Sequence, residues 1–192
     1  MKKLLIMMIV INTFVFSNSL SKISSLTAKI NEKTVVNKNK KEKSYSFSMK
    51  YPDKAYKEML SPKINVGEKY VYNGKKKLVY YPLLKDKFIE DIDEEENYIL
   101  QAIKEIKLGK KPMIIENSEV KELNLGDGTR IVFYDYKKVD GVKFPHKIEV
   151  YEGKNLYSTL LFSEVKINKN IEENVKNKKN DLQVFQRQRC FN

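Results

Sequence analysis

The chain has 192 residues, 37 of them lysine or arginine and 25 aspartate or glutamate, so its formal net charge is +12. A single cysteine, Cys190, excludes an intramolecular disulfide, and a single histidine, His146, excludes a multi-histidine metal site. Only Arg130, Arg187 and Arg189 are arginines, and the lysines are spread along the chain without a nucleic-acid-binding motif, so the positive charge does not read as specific DNA or RNA binding.

Lys2 and Lys3 precede an apolar run from Leu4 to Phe16, broken only by Asn12 and Thr13, and small residues follow at Ser17-Asn18-Ser19. This is the pattern of an export signal, residues 1–19, with cleavage expected after Ser19. The run falls short of the roughly 20 apolar residues that a spanning helix needs. No cysteine directly follows it to take a lipid anchor. The expected product is a soluble protein outside the cytoplasm, long enough for one domain.

From Leu26 to Val36 apolar and polar residues alternate as in a half-buried strand, and Asn37 to Lys41 reads as a turn or exposed loop. Between Ser44 and Tyr51, the residues Tyr45, Phe47, Met49 and Tyr51 recur at period two, which gives one aromatic and one polar face. Ala55 to Leu60 and Lys69 to Tyr72 are further strands. Asn73-Gly74 then marks a hairpin, and Lys77 to Tyr81 is its returning strand, stopped by Pro82.

The period changes between Asp91 and Leu108. Ile92, Ile99, Ala102, Ile103 and Ile106 fall near one helical face, Asp93 with Glu96 resembles a capping box, and Gly109 is placed to end the helix. Period two returns in Met113 to Leu125, Thr129 to Lys138, Val142 to Tyr151 and Leu156 to Ile167. These are linked through Gly126-Asp127-Gly128, Asp140-Gly141 and Glu152-Gly153. Residues 171–192 read as a polar tail.

The expected fold class is mainly β (α+β), a large curved antiparallel sheet or an unclosed β-barrel with a helical lid inserted around residues 91–108. Tyr45, Phe47, Met49, Tyr70, Tyr72, Val79, Tyr81, Phe133, Ile148, Val150, Leu160 and Phe162 can line its concave side. One helix is too small to fill so wide a sheet, so part of this surface is expected to remain as a pocket for an apolar ligand.

Catalytic chemistry has few carriers. His146 follows Phe144-Pro145 on a strand and reads as structural, and Cys190 lies in the polar tail without a rigid environment to activate its thiol. The acidic run Asp91, Asp93, Glu94, Glu95 and Glu96 sits where a helix start favours negative charge. Gly126-Asp127-Gly128 lacks the further glycine and the following helix of a phosphate-cradling loop, and reads as a hairpin turn. The expectation is a protein that is not an enzyme, with no metal and no cofactor.

Three ordered stretches resemble the LolA-like superfamily of periplasmic lipoprotein carriers. The first is Tyr51-Pro52-Asp53-Lys54-Ala55-Tyr56 followed by Ser61-Pro62. The second runs from Gly67 to Pro82, with Asn73-Gly74, an aromatic-rich strand and then a proline. The third is Asp140 to Val150. The resemblance covers about Leu26 to Ile167. It implies an unclosed barrel whose apolar cavity holds lipoprotein acyl chains in transit to the outer membrane, with the helix from Asp93 to Leu108 as gate. Residues 20–170 are then a lipid-binding domain, periplasmic and without a lipid anchor, and Ile99 and Ile103 of the gate join the cavity lining. The implied partners are acylated lipoproteins or other lipids, handover proteins at the inner and outer membranes, and a membrane surface in transient contact. Two positions depart from the family pattern. Tyr51 stands where the carriers have an arginine before the proline, and Ala55 where they have an aromatic residue. The early helix of the family is reduced to Ser21 through about Lys29 at most. The alternative reading of the same fold is an envelope lipid-sensing or protein-interaction module.

Overall fold

The computed structural model describes residues 18–36, 39–74, 76–91 and 97–169. The apolar N-terminal run, Asp93 to Glu96 with their capping box, the tail from 171 and Cys190 lie outside the described residues.

The described residues form eleven strands, most of them with alternating apolar and polar side chains: β1 Ser25–Val36, β2 Asn39–Lys50, β3 Lys54–Ser61, β4 Lys69–Asn73, β5 Lys76–Tyr81, β6 Asp86–Asp91, β7 Met113–Glu116, β8 Glu119–Gly126, β9 Thr129–Val139, β10 Val142–Glu152 and β11 Asn155–Ile167. All pair antiparallel in one sheet of order β6-β5-β4-β3-β2-β1-β11-β10-β9-β8-β7. The sheet is not closed into a barrel; its free edges are β6 and β7. The order is two meanders, β1–β6 and β7–β11, zipped together where β1 meets β11.

This topology places the helix. The chain leaves the sheet at one edge, β6, and must re-enter at the opposite edge, β7, so the connection has to cross a sheet face. It does so as α1, Tyr98–Leu108, which buries Ile99, Ala102, Ile103 and Ile106 against the concave side. Buried and half-buried residues alternate along β2 from Ser44 to Met49, with Tyr45, Phe47 and Met49 inside. Ile131 and Phe133 do the same on β9, and Leu160 and Phe162 on β11. The sheet bends around the helix through register shifts at Thr27/Lys29, Ser44/Tyr45 and Val150/Tyr151, since a bulge kinks its strand and increases the local twist.

Several boundaries differ from the sequence reading. Asp91 ends β6 instead of starting the helix, and the described cap of α1 is Asn97, whose side chain accepts from the Leu100 amide. Gly109 terminates α1 as expected, at φ 63°. Asn39 to Lys41 belong to β2, because the hairpin with β1 holds its pairing as far as Val36↔Asn39. The stretch Met113 to Leu125 is two strands, turned at Asn117 and Ser118, which both take positive φ, as a two-residue hairpin loop requires. The segment from Ser21 is a 3₁₀ turn, Ser19–Lys22, followed by β1, and no longer helix forms there. β6 is an addition: its residues are exposed, apart from a half-buried Lys87, so no hydrophobic alternation announces it.

Candidate functional site

The concave side of the sheet carries one cluster of 27 buried side chains that runs from Leu20 and Ile23 beneath the 3₁₀ turn to Phe162 and Ile167 on β11. Of the residues expected to line a cavity, Tyr45, Phe47, Met49, Tyr72, Ile99, Ile103, Phe133, Ile148 and Phe162, with Val150 and Leu160, belong to it. Tyr70 packs against it. Val79 is fully buried and continues the cross-strand row Phe47, Lys57, Tyr70. Tyr81 lies further out, edge-on to Phe88 at 5.8 Å.

At the N-terminal end of α1 the packing opens into a cleft of about 290 Å³. Phe47, Ile99 and Leu160 supply its apolar part, Tyr45, Tyr72, Tyr98 and Tyr157 its aromatic walls, and Glu32, Lys43, Lys57, Asn97 and Glu152 its polar groups. Five of the expected lining residues therefore meet here: Tyr45, Phe47, Tyr72, Ile99 and Leu160. The polar group was not legible as a set, because Glu32 faces Lys43 only once the β1–β2 register is known.

Glu32 organises this opening. Its carboxylate accepts from the Tyr45 hydroxyl at 2.9 Å, the Thr34 hydroxyl at 3.3 Å and the Ser158 hydroxyl at 3.4 Å, and pairs with Lys43 at 3.1 Å. Burial, and then the Glu32 charge, push the Tyr45 hydroxyl well above the ordinary tyrosine range, so it stays a neutral donor. The Lys57 ammonium sits 4.3 Å from the centre of the Tyr70 ring and 5.3 Å from that of Tyr45. Tyr98 and Tyr157 meet edge to face at 6.2 Å, joining the start of α1 to β11.

The far end of α1 is fastened differently. The Lys107 ammonium donates to the Ser21 carbonyl and lies 4.9 Å from the centre of the Tyr51 ring. Tyr51 thus links the β2–β3 corner to the helix through its ring face. Ala55 fills its place as a buried member of the core.

His146 faces the Phe162 carbonyl through Nδ1 at 3.1 Å, and its Nε2 is buried without a hydrogen-bond partner, an environment of core aromatics. Among the described residues no group of three His, Cys, Asp or Glu side chains could hold a metal ion. No helix among them is long and apolar enough to cross a membrane.

No protein-family model matches the chain, and no curated protein matches its sequence. Solved structures do match its fold. A LolA superfamily protein from Nitrosomonas europaea aligns over 82% of this chain and 94% of its own, with TM-score 0.58 at 10% identity. A DUF1329 family protein from Desulfovibrio piger aligns over 80% and 90%, with TM-score 0.58 at 10% identity. A domain described as an outer membrane lipoprotein-sorting protein from Vibrio parahaemolyticus aligns over 81% and 90%, with TM-score 0.57 at 11% identity. The open eleven-stranded sheet with one helix across its concave face is therefore the LolA-like fold.

Proposed function

We propose that the protein is a non-catalytic binder of acyl chains in the cell envelope, acting in the periplasm as a carrier of lipids or lipoproteins toward the outer membrane. One observation carries this reading: the cleft opens directly onto Phe47, Leu160 and Ile99, at the end of a helix that is fastened at its other end by Lys107. A cleft of about 290 Å³ stands just below the range of small-molecule sites, roughly 300 to 1,000 Å³, so on this reading it has room for no more than the end of one chain as it stands. A longer ligand enters when the Tyr98 end of α1 lifts from Tyr157 while the Lys107 end holds. Each methylene buried there contributes about 0.8 kcal/mol, enough for a modest cavity to compete with a membrane.

The test is binding of a triacylated lipopeptide beside the same peptide without its chains. Saturable binding that requires the chains, weakened by Tyr98→Trp at the half-exposed rim and abolished by Phe47→Asp, is the expected outcome. A folded protein that binds neither peptide rejects it. That result would favour the second reading, an interaction module of the same fold, whose supporting observation is that 27 buried side chains pack together as one cluster.

A further inference from the structure

Seven of the twelve exposed large apolar side chains among the described residues lie in one corner: Leu60, Ile64, Val66, Leu83, Leu84, Phe88 and Ile89. Topology explains the grouping. β3 ends at Ser61, β4 begins at Lys69, β5 ends at Tyr81 and β6 begins at Asp86, so the loops 62–68 and 82–85 leave the sheet at the same end. A side-chain carbon on Gly67 would lie 3.3 Å from the Pro82 ring, which sets the two loops side by side. Their tips carry the most exposed of the seven, Leu83 at 79%, Ile64 at 72% and Leu84 at 68%.

The surroundings are basic. Lys63 and Lys85 are exposed within the loops, and Lys40 and Lys41 are exposed on the part of β2 that runs past its last pair with β3, Ser44↔Ser61. Of the acids nearby, Glu42 and Asp86 are exposed and Glu68 is buried. Glu42 pairs with Lys33 at 3.8 Å, Asp86 accepts the Lys87 amide at 2.7 Å, and Glu68 is buried under Asn65 and Tyr70.

We propose that this end of the sheet docks on an anionic lipid bilayer, with Ile64, Val66, Leu83 and Leu84 entering the headgroup boundary and the four lysines facing lipid phosphates. Adjacent loop tips bury single side chains to a shallow depth, which suits a fluid interface better than a flat protein face does. A basic rim on a chain of net charge +12 complements anionic headgroups. The docking is independent of whether the cleft takes an acyl chain.

The chain contains no tryptophan, so Leu84→Trp in the full chain is a single local reporter at a site already exposed to water. With vesicles of phosphatidylcholine and phosphatidylglycerol its emission should shift to the blue and be quenched by lipids brominated on their acyl chains. Adding Lys63→Gln and Lys85→Gln should weaken that signal roughly 25-fold, about fivefold per lysine. Leu108→Trp, at the C-terminal end of α1, should stay unshifted, which separates docking by this end from tethering by the apolar N-terminal run. An unshifted Leu84→Trp emission on vesicles that carry the chain overturns the proposal and points to a protein partner. An equal signal on phosphatidylcholine alone overturns the anionic assignment.

Discussion

Single side chains at the cleft carry energies that can be measured one at a time. The Tyr45 hydroxyl is buried and donates to a carboxylate, and a hydrogen bond to a charged group contributes about 1.5–3 kcal/mol. Tyr45→Phe should therefore cost about 2 kcal/mol in urea unfolding, and Glu32, still paired with Lys43, should keep its place. A loss below a few tenths of a kcal/mol would show that this bond is not formed in solution. Ile103 is 3% exposed in the middle of α1, so Ile103→Ala leaves a cavity between helix and sheet and should cost about 2–5 kcal/mol by the same measurement. Both residues are positions the period-two and helical patterns mark. Glu32 itself, a charged residue on a strand, carries no such mark, since its role depends on being opposite Lys43 and Leu160 at once.

Among the elements, α1 and the 3₁₀ turn before β1 depend on contacts made at their ends. Lys107→Met keeps the aliphatic stem and removes the ammonium that ties α1 to Ser21 and Tyr51. It should lower stability by about 2 kcal/mol and speed hydrogen exchange in the last turn of the helix, whereas unchanged exchange would mean the helix is held by its apolar face alone. The 3₁₀ turn begins with Asn18, 6% exposed, whose side chain accepts from the Ser21 amide at 2.8 Å. Ser19 donates its amide to Ser118 at 3.1 Å and its hydroxyl to Lys143 at 2.8 Å. A chain cut after Ser19 would lose all three bonds. A chain beginning at Leu20 should then melt lower than one beginning at Asn18, by an amount equivalent to about 2 kcal/mol, and equal melting would show that these bonds add nothing.

At the scale of the molecule, the same polar contacts set the pH range of stability. Glu119 is held below its ordinary value of 4.5 by Lys121 and then Lys143, and Asp140 below 3.8 by the Ile167 amide and then Lys169. A lowered carboxylate contributes stability that is complete above its unfolded value and lost as pH falls. Tyr45, Tyr70 and Tyr136 are raised above 10.0, first by burial and then by Glu32, Glu68 and Glu119 respectively. A raised phenol contributes stability that is complete below 10 and lost as pH climbs beyond it. Melting temperature against pH should therefore be flat between about 5 and 10, fall gently on the acid side where the carboxylates are solvated, and fall more steeply on the alkaline side where the phenols are buried or half-buried. A steeper acid limb would assign the stability to the surface pairs instead.

The amino-acid sequence by itself determined the strands whose faces differ, β1 to β3 and β9 to β11, because alternation is a local property of neighbouring residues, and it marked the β4–β5 hairpin through Asn73-Gly74. It determined the helix core from Ile99 to Ile106 and the stop at Gly109 for the same reason. It was silent on β6, whose mostly exposed edge has no buried face to mark, and on the Asn117-Ser118 turn, which takes positive φ without a glycine. Only the tertiary structure decided that β1 pairs with β11, since that register joins residues more than a hundred positions apart. That pairing makes β6 and β7 the two free edges, forces α1 across the concave face, and brings Glu32, Lys57, Tyr72, Tyr98 and Tyr157 from five separate elements around one cleft. Local pattern records which side chains are buried, and only long-range pairing decides which of them meet.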